Sequence, residues 1–241
     1  MEKLLLALML FSAVPVRADI SDDFAARVRS EYLKPFALDL GGGLGAASVD
    51  PGGSLGFPGF EAGLISGVQF RPDRDNRILR DSGVKAFGVP MAQAAVGLPL
   101  GLSVVGHGVG ANGITIFGGG LRYSLFKPGL ATKMLPSVGV SFFADRLTSD
   151  EFEATHYAAN LSAGLGLPLV TPFVAVGYDL TQVKVAGGAV PAALVGQNAW
   201  ARAGRMALGA DLTPFPFLRL RGAYQVLHGI PGMTADLLFK F

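Results

Sequence analysis

Glycine and proline inside a long uncharged stretch constrain the fold of this chain more than any other feature. Residues 86–121 contain no Asp, Glu, Lys or Arg, yet they include Pro90, Pro99 and ten glycines. Over the whole chain 34 of 241 residues are glycine, about double the usual ~7%. Glycine and proline at this density disfavour helices. Because backbone polar groups must bond internally within a bilayer, only helices and closed β-barrels span membranes, and the sequence favours a barrel.

A two-residue period supports this interpretation. A membrane strand of about 9–11 residues alternates apolar side chains that face lipid with polar or small ones that face the lumen. In residues 233–241, Met233, Leu237 and Phe239 share one face, and Asp236 lies on the other. The same alternation recurs near residues 36–47, 60–71, 84–97, 100–107, 114–125, 137–146, 156–167, 173–182, 204–212 and 218–226.

These segments number eleven, whereas bacterial single-chain barrels have an even number of strands. Either residues 36–47 are not a wall strand, which gives ten, or a further strand lies between residues 72 and 90, which gives twelve. The predicted fold class is all-β: a transmembrane antiparallel up-and-down β-barrel of about 10–12 strands with a short N-terminal helix.

Connections of two lengths are expected between the strands. Tight turns at residues 97–99, 166–168 and 213–216 are typical of the periplasmic side. The connections near residues 107–113, 146–155 and 183–199 are expected to be longer and extracellular. Residues 185–201 lack charge, so this segment is expected to fold into the barrel mouth or to lie against the outer leaflet.

The N-terminal region divides into two segments before the barrel. Residues 1–18 have a charged start, an apolar core and a small-residue cleavage site, which predicts a cleavable signal peptide. Residues 19–35 predict an amphipathic helix that Pro35 ends, lying either at the periplasmic surface or in the lumen as a plug. Residues 36–241 are then the barrel, and the expected location is the bacterial outer membrane.

Composition excludes several function classes. The chain has no cysteine, so it has no disulfide, thiol nucleophile or Cys-ligated metal. The net charge is +2 with 16% charged residues, which is not the basic surface of a nucleic-acid-binding protein. We expect no cofactor and no metal.

Several glycine-rich motifs carry a resemblance to a known group of proteins. Residues 32–36, 41–44, 59–61, 96–101 and 118–125 together resemble a family of bacterial outer-membrane β-barrels of unknown function. The resemblance covers most of the mature chain and implies the barrel fold and the outer-membrane location, without an activity or a site. The terminal Phe241 resembles the C-terminal signature of such barrels, which implies recognition by the barrel-assembly machinery.

Charged residues at inward positions are the candidates for lining the lumen. They are Arg122, Asp179, Arg205, Asp211, Arg219 and Arg221. Arg205, Arg219 and Arg221 would form a positive ladder that favours anions, or would pair with Asp211 and Asp236 on flanking strands.

Four arginines recur at every third position between residues 71 and 80. Arg71, Arg74, Arg77 and Arg80 are interspersed with Asp73, Asp75 and Asp81. They predict a solvated loop with self-paired charges, or a loop that grips lipopolysaccharide phosphates, or one that folds inward as a constriction.

The three histidines do not predict an active site. His107, His156 and His228 all fall near strand ends. At about 3.3 Å per residue, His156 and Asn160 lie about 13 Å apart and do not pair directly. A catalytic set would need partners from other strands, so the sequence predicts no catalytic residues and a protein that is not an enzyme.

Three functions follow from this interpretation, in order of preference. The first is a passive channel or transporter for small solutes, because polar inward residues permit a water path. The second is a structural or surface-interaction barrel with a plugged lumen. The third is an outer-membrane lipid-modifying or proteolytic enzyme. The expected partners are outer-membrane lipid and lipopolysaccharide.

Overall fold

Ten antiparallel strands form a closed barrel in the computed structural model, which describes residues 20–129, 132 and 134–241. The predicted signal peptide, residues 1–18, lies outside the described residues. The strands are β1 (Phe60–Gln69), β2 (Phe87–Leu98), β3 (Leu102–Ala111), β4 (Ile114–Phe126), β5 (Ser137–Thr148), β6 (Phe152–Gly164), β7 (Val170–Val185), β8 (Asn198–Phe215), β9 (Leu218–Leu227) and β10 (Ile230–Lys240).

Each strand pairs with its neighbours in sequence, and β1 closes the barrel on β10, with registers from Glu61↔Lys240 to Gln69↔Gly232. This confirms the predicted all-β, antiparallel, up-and-down barrel. The structure also decides the strand number, because residues 36–47 do not belong to the wall and no further strand lies between residues 72 and 86.

The alternation of side chains follows the predicted faces. Phe117 and Met206 are 74% and 66% exposed on the outside of the wall, whereas Thr234 and Asp236 are buried inside it. A closed wall with an apolar exterior suits a lipid environment, since each strand is hydrogen-bonded to a neighbouring strand on both sides.

Residues 33–47 form a helix where the two-residue period predicted a strand. The helices are α1 (Ile20–Arg27), α2 (Leu33–Ala47) and α3 (Arg77–Arg80). Pro35 does not end the N-terminal helix; it lies in the first turn of α2, where its missing N–H costs no intrahelical hydrogen bond. The barrel therefore begins at Phe60 rather than at residue 36. No helix in the described part of the chain is long and apolar enough to cross a membrane.

Helix α2 lies inside the barrel and contacts seven of its strands. Glycines on its surface allow this close approach. A Cβ on Gly45 would lie 2.6 Å from a carboxylate oxygen of Asp179 on β7, and one on Gly42 would lie 2.6 Å from Oε1 of Gln69 on β1. The glycine run that resembled a strand thus forms the face of a helix that fits among inward side chains.

The opposite face of α2 is apolar and closes one end of the barrel. Phe36 on α2, Phe24 on α1 and Phe152 on β6 are fully buried, with ring centroids 4.6–5.1 Å apart. The uncharged segment 186–197 folds over the same end, where Val190 joins this core. Of the two positions expected for this segment, the barrel mouth is the one observed.

This end also carries residues 70–86, and we call it the outer mouth because long loops are typical of the extracellular side. Two connections expected to be long are short, since β3 and β4 are joined by Asn112 and Gly113 alone and β5 and β6 by residues 149–151. Their strands extend past the predicted ends. The tight turns predicted for the periplasmic side all lie at the other end, where β4 also ends and β5 begins.

Candidate functional site

The C-terminus of α2 is held in the lumen by two arginines of the wall. Arg205 on β8 donates to the carbonyl of Gly45 and to Asp179. Arg221 on β9 donates to the carbonyl of Val49 at 2.6 Å. The last carbonyls of a helix lack intrahelical donors and carry its negative dipole end. The guanidinium group of Arg205 therefore acts as a cap supplied by the barrel wall, and that of Arg221 holds the chain just beyond the helix end.

Neutral side chains complete this cap. Gln225 and Thr234 donate to the carbonyl of Ala46 at 3.0 and 2.8 Å. Asn160 donates to the hydroxyl of Ser48 at 3.2 Å. The end of the helix is thus bonded to β6, β8, β9 and β10, which fixes it across the lumen.

The three histidines belong to one buried chain of hydrogen bonds. Asp145 lies between His107 and His156, at 2.6 and 2.8 Å. Asp179 lies between His156 and His228, at 3.3 and 2.9 Å. Topology thus joins residues that are remote in sequence, which the spacing of His156 and Asn160 along one strand did not reveal.

Within the described structure, the hydrogen bonds of these histidines go to two carboxylates and to one backbone carbonyl. In the described part of the molecule no hydroxyl lies within hydrogen-bond distance of a histidine ring nitrogen, and no group of three or more His, Asp or Glu side chains is placed to hold a metal ion. Instead, His228 is also bonded to the carbonyl of Leu38 on α2 at 2.9 Å. His228 thus connects the helix to the wall, while His107 and His156 connect strands of the wall.

A second set of charges fills the lumen below α2. Glu61 pairs with Arg219 at 3.0 Å and lies 3.7 Å from Arg122. Asp211 pairs with Arg221 at 2.7 Å and lies 3.6 Å from Arg219. All these side chains are buried except that of Arg219, which is 13% exposed.

The structure places all six predicted lumen-lining residues inside the barrel: Arg122, Asp179, Arg205, Asp211, Arg219 and Arg221. Arg219 and Arg221 contact Asp211 and Asp236 on neighbouring strands, as the pairing alternative expected, whereas Arg205 pairs with Asp179 on β7. They do not form an unpaired positive ladder: Arg205 also bonds to α2, Arg221 to Val49 just beyond it, and Arg219 to Glu61 on β1.

A carboxylate of α2 attaches the outer loop, residues 70–86, to α2, which we call the plug because it lies inside the barrel. The carboxylate of Asp39 accepts hydrogen bonds from the backbone N–H of Asp73 and from the amides of Asn76 and Gln69 at 2.6–3.0 Å. Burial raises the pKa of this carboxyl to about 6, while its three hydrogen-bond donors act in the opposite direction. Asp39 thus fixes where residues 71–76 lie over the mouth.

A cationic pocket lies beside this attachment at the outer mouth. It has a volume of about 720 Å³ and lies between residues 71–85 and the β9–β10 turn. The charged side chains that line it are Arg71, Arg74, Arg80, Lys85 and Asp73, together with His228. Four cations and one carboxylate thus line the pocket. His228 is not counted among the cations, because it is hydrogen-bonded to Asp179.

The arginine-rich loop is mostly not self-paired. Arg74 lies 3.6 Å from Asp75, and both side chains are highly exposed. Among the described residues no carboxylate pairs with Arg71, Arg80 or Lys85, and Arg77 does not line the pocket. Three of the four pocket cations were identified as a group from the sequence. Lys85 was not grouped with them, because only the fold brings residues 71 and 85 to the same pocket.

No protein-family model matches the sequence, and no curated protein is similar to it. Similar solved structures are outer-membrane β-barrels. The translocator domain of autotransporter NalP from Neisseria meningitidis is 12% identical over 89% of this chain and 99% of its own, with a TM-score of 0.40. The N-terminal β-barrel domain of OprF from Pseudomonas aeruginosa is 9% identical over 78% and 99%, with a TM-score of 0.37. Ail from Yersinia pestis is 12% identical over 77% and 100%, with a TM-score of 0.33. At these identities the likeness concerns the fold alone.

Proposed function

We propose that this chain is a plugged β-barrel of the bacterial outer membrane that binds phosphate-bearing lipid headgroups, such as those of lipopolysaccharide, at its outer mouth. The observation that carries the proposal is the cationic pocket, where Arg71, Arg80 and Lys85 have no carboxylate partner in the described structure. Guanidinium groups suit phosphate because they donate paired hydrogen bonds to its oxygens.

The attachment of the loop supports the same proposal. Asp39 and Asn76 hold residues 73–79 on the plug, so the pocket cations project from an ordered base. A preorganised site loses less conformational entropy on binding than a free loop does.

The filled lumen favours a surface role over conduction. Helix α2 and the ion pairs around Arg205 and Arg221 occupy the interior, so the channel hypothesis requires α2 to leave the lumen. Leaving would deprive Arg205 and Arg221 of the carbonyls of Gly45 and Val49, to which they now donate. Conductance of the folded protein in planar bilayers tests this: we expect no steady current, and a stable open channel would restore the channel hypothesis.

Binding of lipopolysaccharide to the detergent-folded protein tests the proposed function. We expect the double variant R71A/R80A to bind at least about tenfold more weakly, since a hydrogen bond to a charged group contributes about 1.5–3 kcal/mol. The affinity of the unchanged protein should also fall as salt is raised.

Arg77→Ala is the matched control, because Arg77 is exposed on the same loop but does not line the pocket. Its affinity should stay close to that of the unchanged protein. Equal losses in R77A and in the pocket variants would reduce the effect to general charge attraction and contradict a defined site.

A further inference from the structure

The barrel wall is split between β2 and β3 at its outer end. These strands pair from Leu98↔Leu102 only as far as Ala92↔Gly108. Beyond that point both strands continue outward, because Phe87–Met91 still pair with β1 and Val109–Ala111 still pair with β4. Two facing strand segments thus run past each other without a shared ladder.

The other seams nearest the outer mouth show what an intact wall looks like. β4 pairs with β5 to Thr115↔Thr148, and β6 pairs with β7 to Phe152↔Val185, which is the first residue of one strand and the last of the other. β8 extends beyond β9 towards the outer mouth, but there β9 ends at Leu227, so no second strand continues beside β8. Only at the β2–β3 seam, within the described strands, do both partners continue and separate.

Pro90 lies in the unpaired part of β2. It pairs across from Ser66 of β1, and its side chain is exposed on the outer face. Proline has no N–H to donate to a ladder, and within sheets it is confined to edges and bulges. In a closed barrel every strand is internal, so Pro90 marks the place where β2 becomes a local edge.

An apolar cavity lies directly behind the split. It has a volume of about 190 Å³ and extends from Pro90 and Asn112 at the surface to buried side chains inside the wall. Those side chains include Phe87, Ile116, Leu147 and Phe152 from the wall and Leu40 from α2. Asn112 is the one polar side chain of the lining. Apolar cavities of about 150 Å³ stay dry and hold small hydrocarbons, so this one suits hydrocarbon rather than water.

We propose that the split admits an acyl chain from an outer-leaflet lipid and that the cavity holds the end of that chain. The cavity is continuous with the apolar outer wall, whose natural neighbour is membrane hydrocarbon. An acyl chain entering between β2 and β3 covers the apolar walls of the opening.

The cationic pocket is a second reason to choose a lipid as the occupant of the cavity. This second reason rests on the proposed function. Lys85 lines the cationic pocket and Phe87 lines the apolar cavity. Two residues span at most about 7 Å of extended chain. An anionic headgroup and the acyl chain of one lipid molecule are thus within reach of the two sites.

Photo-crosslinking tests the acyl site separately from the headgroup site. The protein is folded into phosphatidylcholine vesicles that contain a diacylglycerol whose acyl chain carries a diazirine, so that the crosslinking lipid has neither a charge nor a phosphate. We expect crosslinked peptides concentrated at residues 87–91 and 109–116. Labelling spread evenly around the wall would overturn the proposal.

Two variants close the site in different ways. Met91→Cys with Val109→Cys places a cysteine on each side of the split in a chain that has no others. A disulfide requires Cα atoms about 4.4–6.8 Å apart, so the oxidised form draws the strands together. We expect it to lose the local labelling and the reduced form of the same protein to keep it.

Val89→Trp fills the cavity, since Val89 lines it and faces α2. Val176→Trp is its control, because Val176 is 49% exposed on the lipid face of β7. We expect V89W to lose the labelling and V176W to keep it, with heat-modifiable mobility showing that both have folded. Unchanged labelling in V89W and in the oxidised cysteine pair would overturn the proposal.

The two proposals fail in distinguishable ways. R71A/R80A should lose lipopolysaccharide binding and keep the labelling by uncharged lipid. V89W should lose that labelling and keep lipopolysaccharide binding. Local labelling without lipopolysaccharide binding would leave the acyl site standing and remove the headgroup site.

Discussion

Arginines of the lumen and arginines of the outer loop have opposite environments in this barrel. Arg205 and Arg221 are buried and bonded both to carboxylates of the wall and to carbonyls of the plug. Arg71 and Arg80 are exposed beside a pocket, and among the described residues no carboxylate pairs with them. The first pair serves the fold, because each donor already has its acceptor. The second pair has donors to spare, which is what binding an external anion requires.

The largest effect is expected from removing a lumen arginine. Arg205→Ala deletes the partner of the Asp179 carboxylate and the donor to the carbonyl of Gly45. Breaking a buried pair by removing one partner costs about 3–5 kcal/mol, because the remaining charge stays buried. We expect a loss of unfolding free energy of that size, measured by urea unfolding in detergent micelles.

Arg202→Ala is the control for this change. Arg202 lies on the same strand, three residues before Arg205, and is exposed. Its removal should alter the unfolding free energy by less than about 0.5 kcal/mol, as for most surface positions. Similar losses in R202A and R205A would contradict a structural role for the lumen arginines.

The next effect concerns the glycines that let α2 fit. Gly45→Ala places a methyl group 2.6 Å from the Asp179 carboxylate, so the helix or the ion pair must shift. Overpacking of this kind typically costs about 1–3 kcal/mol. We expect destabilisation in urea unfolding and brief conductance events in planar bilayers as the plug loosens.

Gly43→Ala separates this steric effect from helix propensity. A Cβ on Gly43 would meet Val89 at 3.6 Å and Phe87 at 3.7 Å, which is ordinary contact. Alanine is favoured over glycine in a helix interior by about 1 kcal/mol. G43A should therefore be neutral or more stable, and a loss equal to that of G45A would show that α2 is not packed as described.

The same glycines explain what the sequence revealed and what it concealed. The wall was predictable, because strands such as β4 and β10 alternate on a two-residue period that lipid outside and charge inside impose. Helix α2 was not, because Gly41–Gly43 and Gly45 remove the apolar stripe that marks a helix and keep small residues at alternate positions. Its helical state depends on tertiary contacts with Asp179 and Gln69 that no local pattern contains.

The candidate site was predictable to a similar extent. Loop arginines and inward charges could be identified because charge in an apolar sequence is conspicuous. Their surroundings could not, since Arg205 bonds to Gly45 across 160 positions and only the fold of the loop places Lys85 and Arg71 around one pocket. The β2–β3 split was also hidden, although Pro90 within an otherwise regular strand was its one local signal.

The smallest effect is expected at the attachment between the plug and the outer loop. Asp39→Ala removes the acceptor for the backbone of Asp73 and for the Asn76 amide, so residues 71–76 lose their fixed position over the mouth. The barrel should remain folded, but limited proteolysis should cleave this loop faster, and lipopolysaccharide affinity should fall by less than in R71A/R80A.

Asp81→Ala is the control, because Asp81 is exposed at the end of α3 on the same loop and its side chain bonds to none of these residues. If D39A left both cleavage and affinity unchanged, the attachment to α2 would not be what orders the loop. The loop arginines would then bind lipopolysaccharide without a preorganised base.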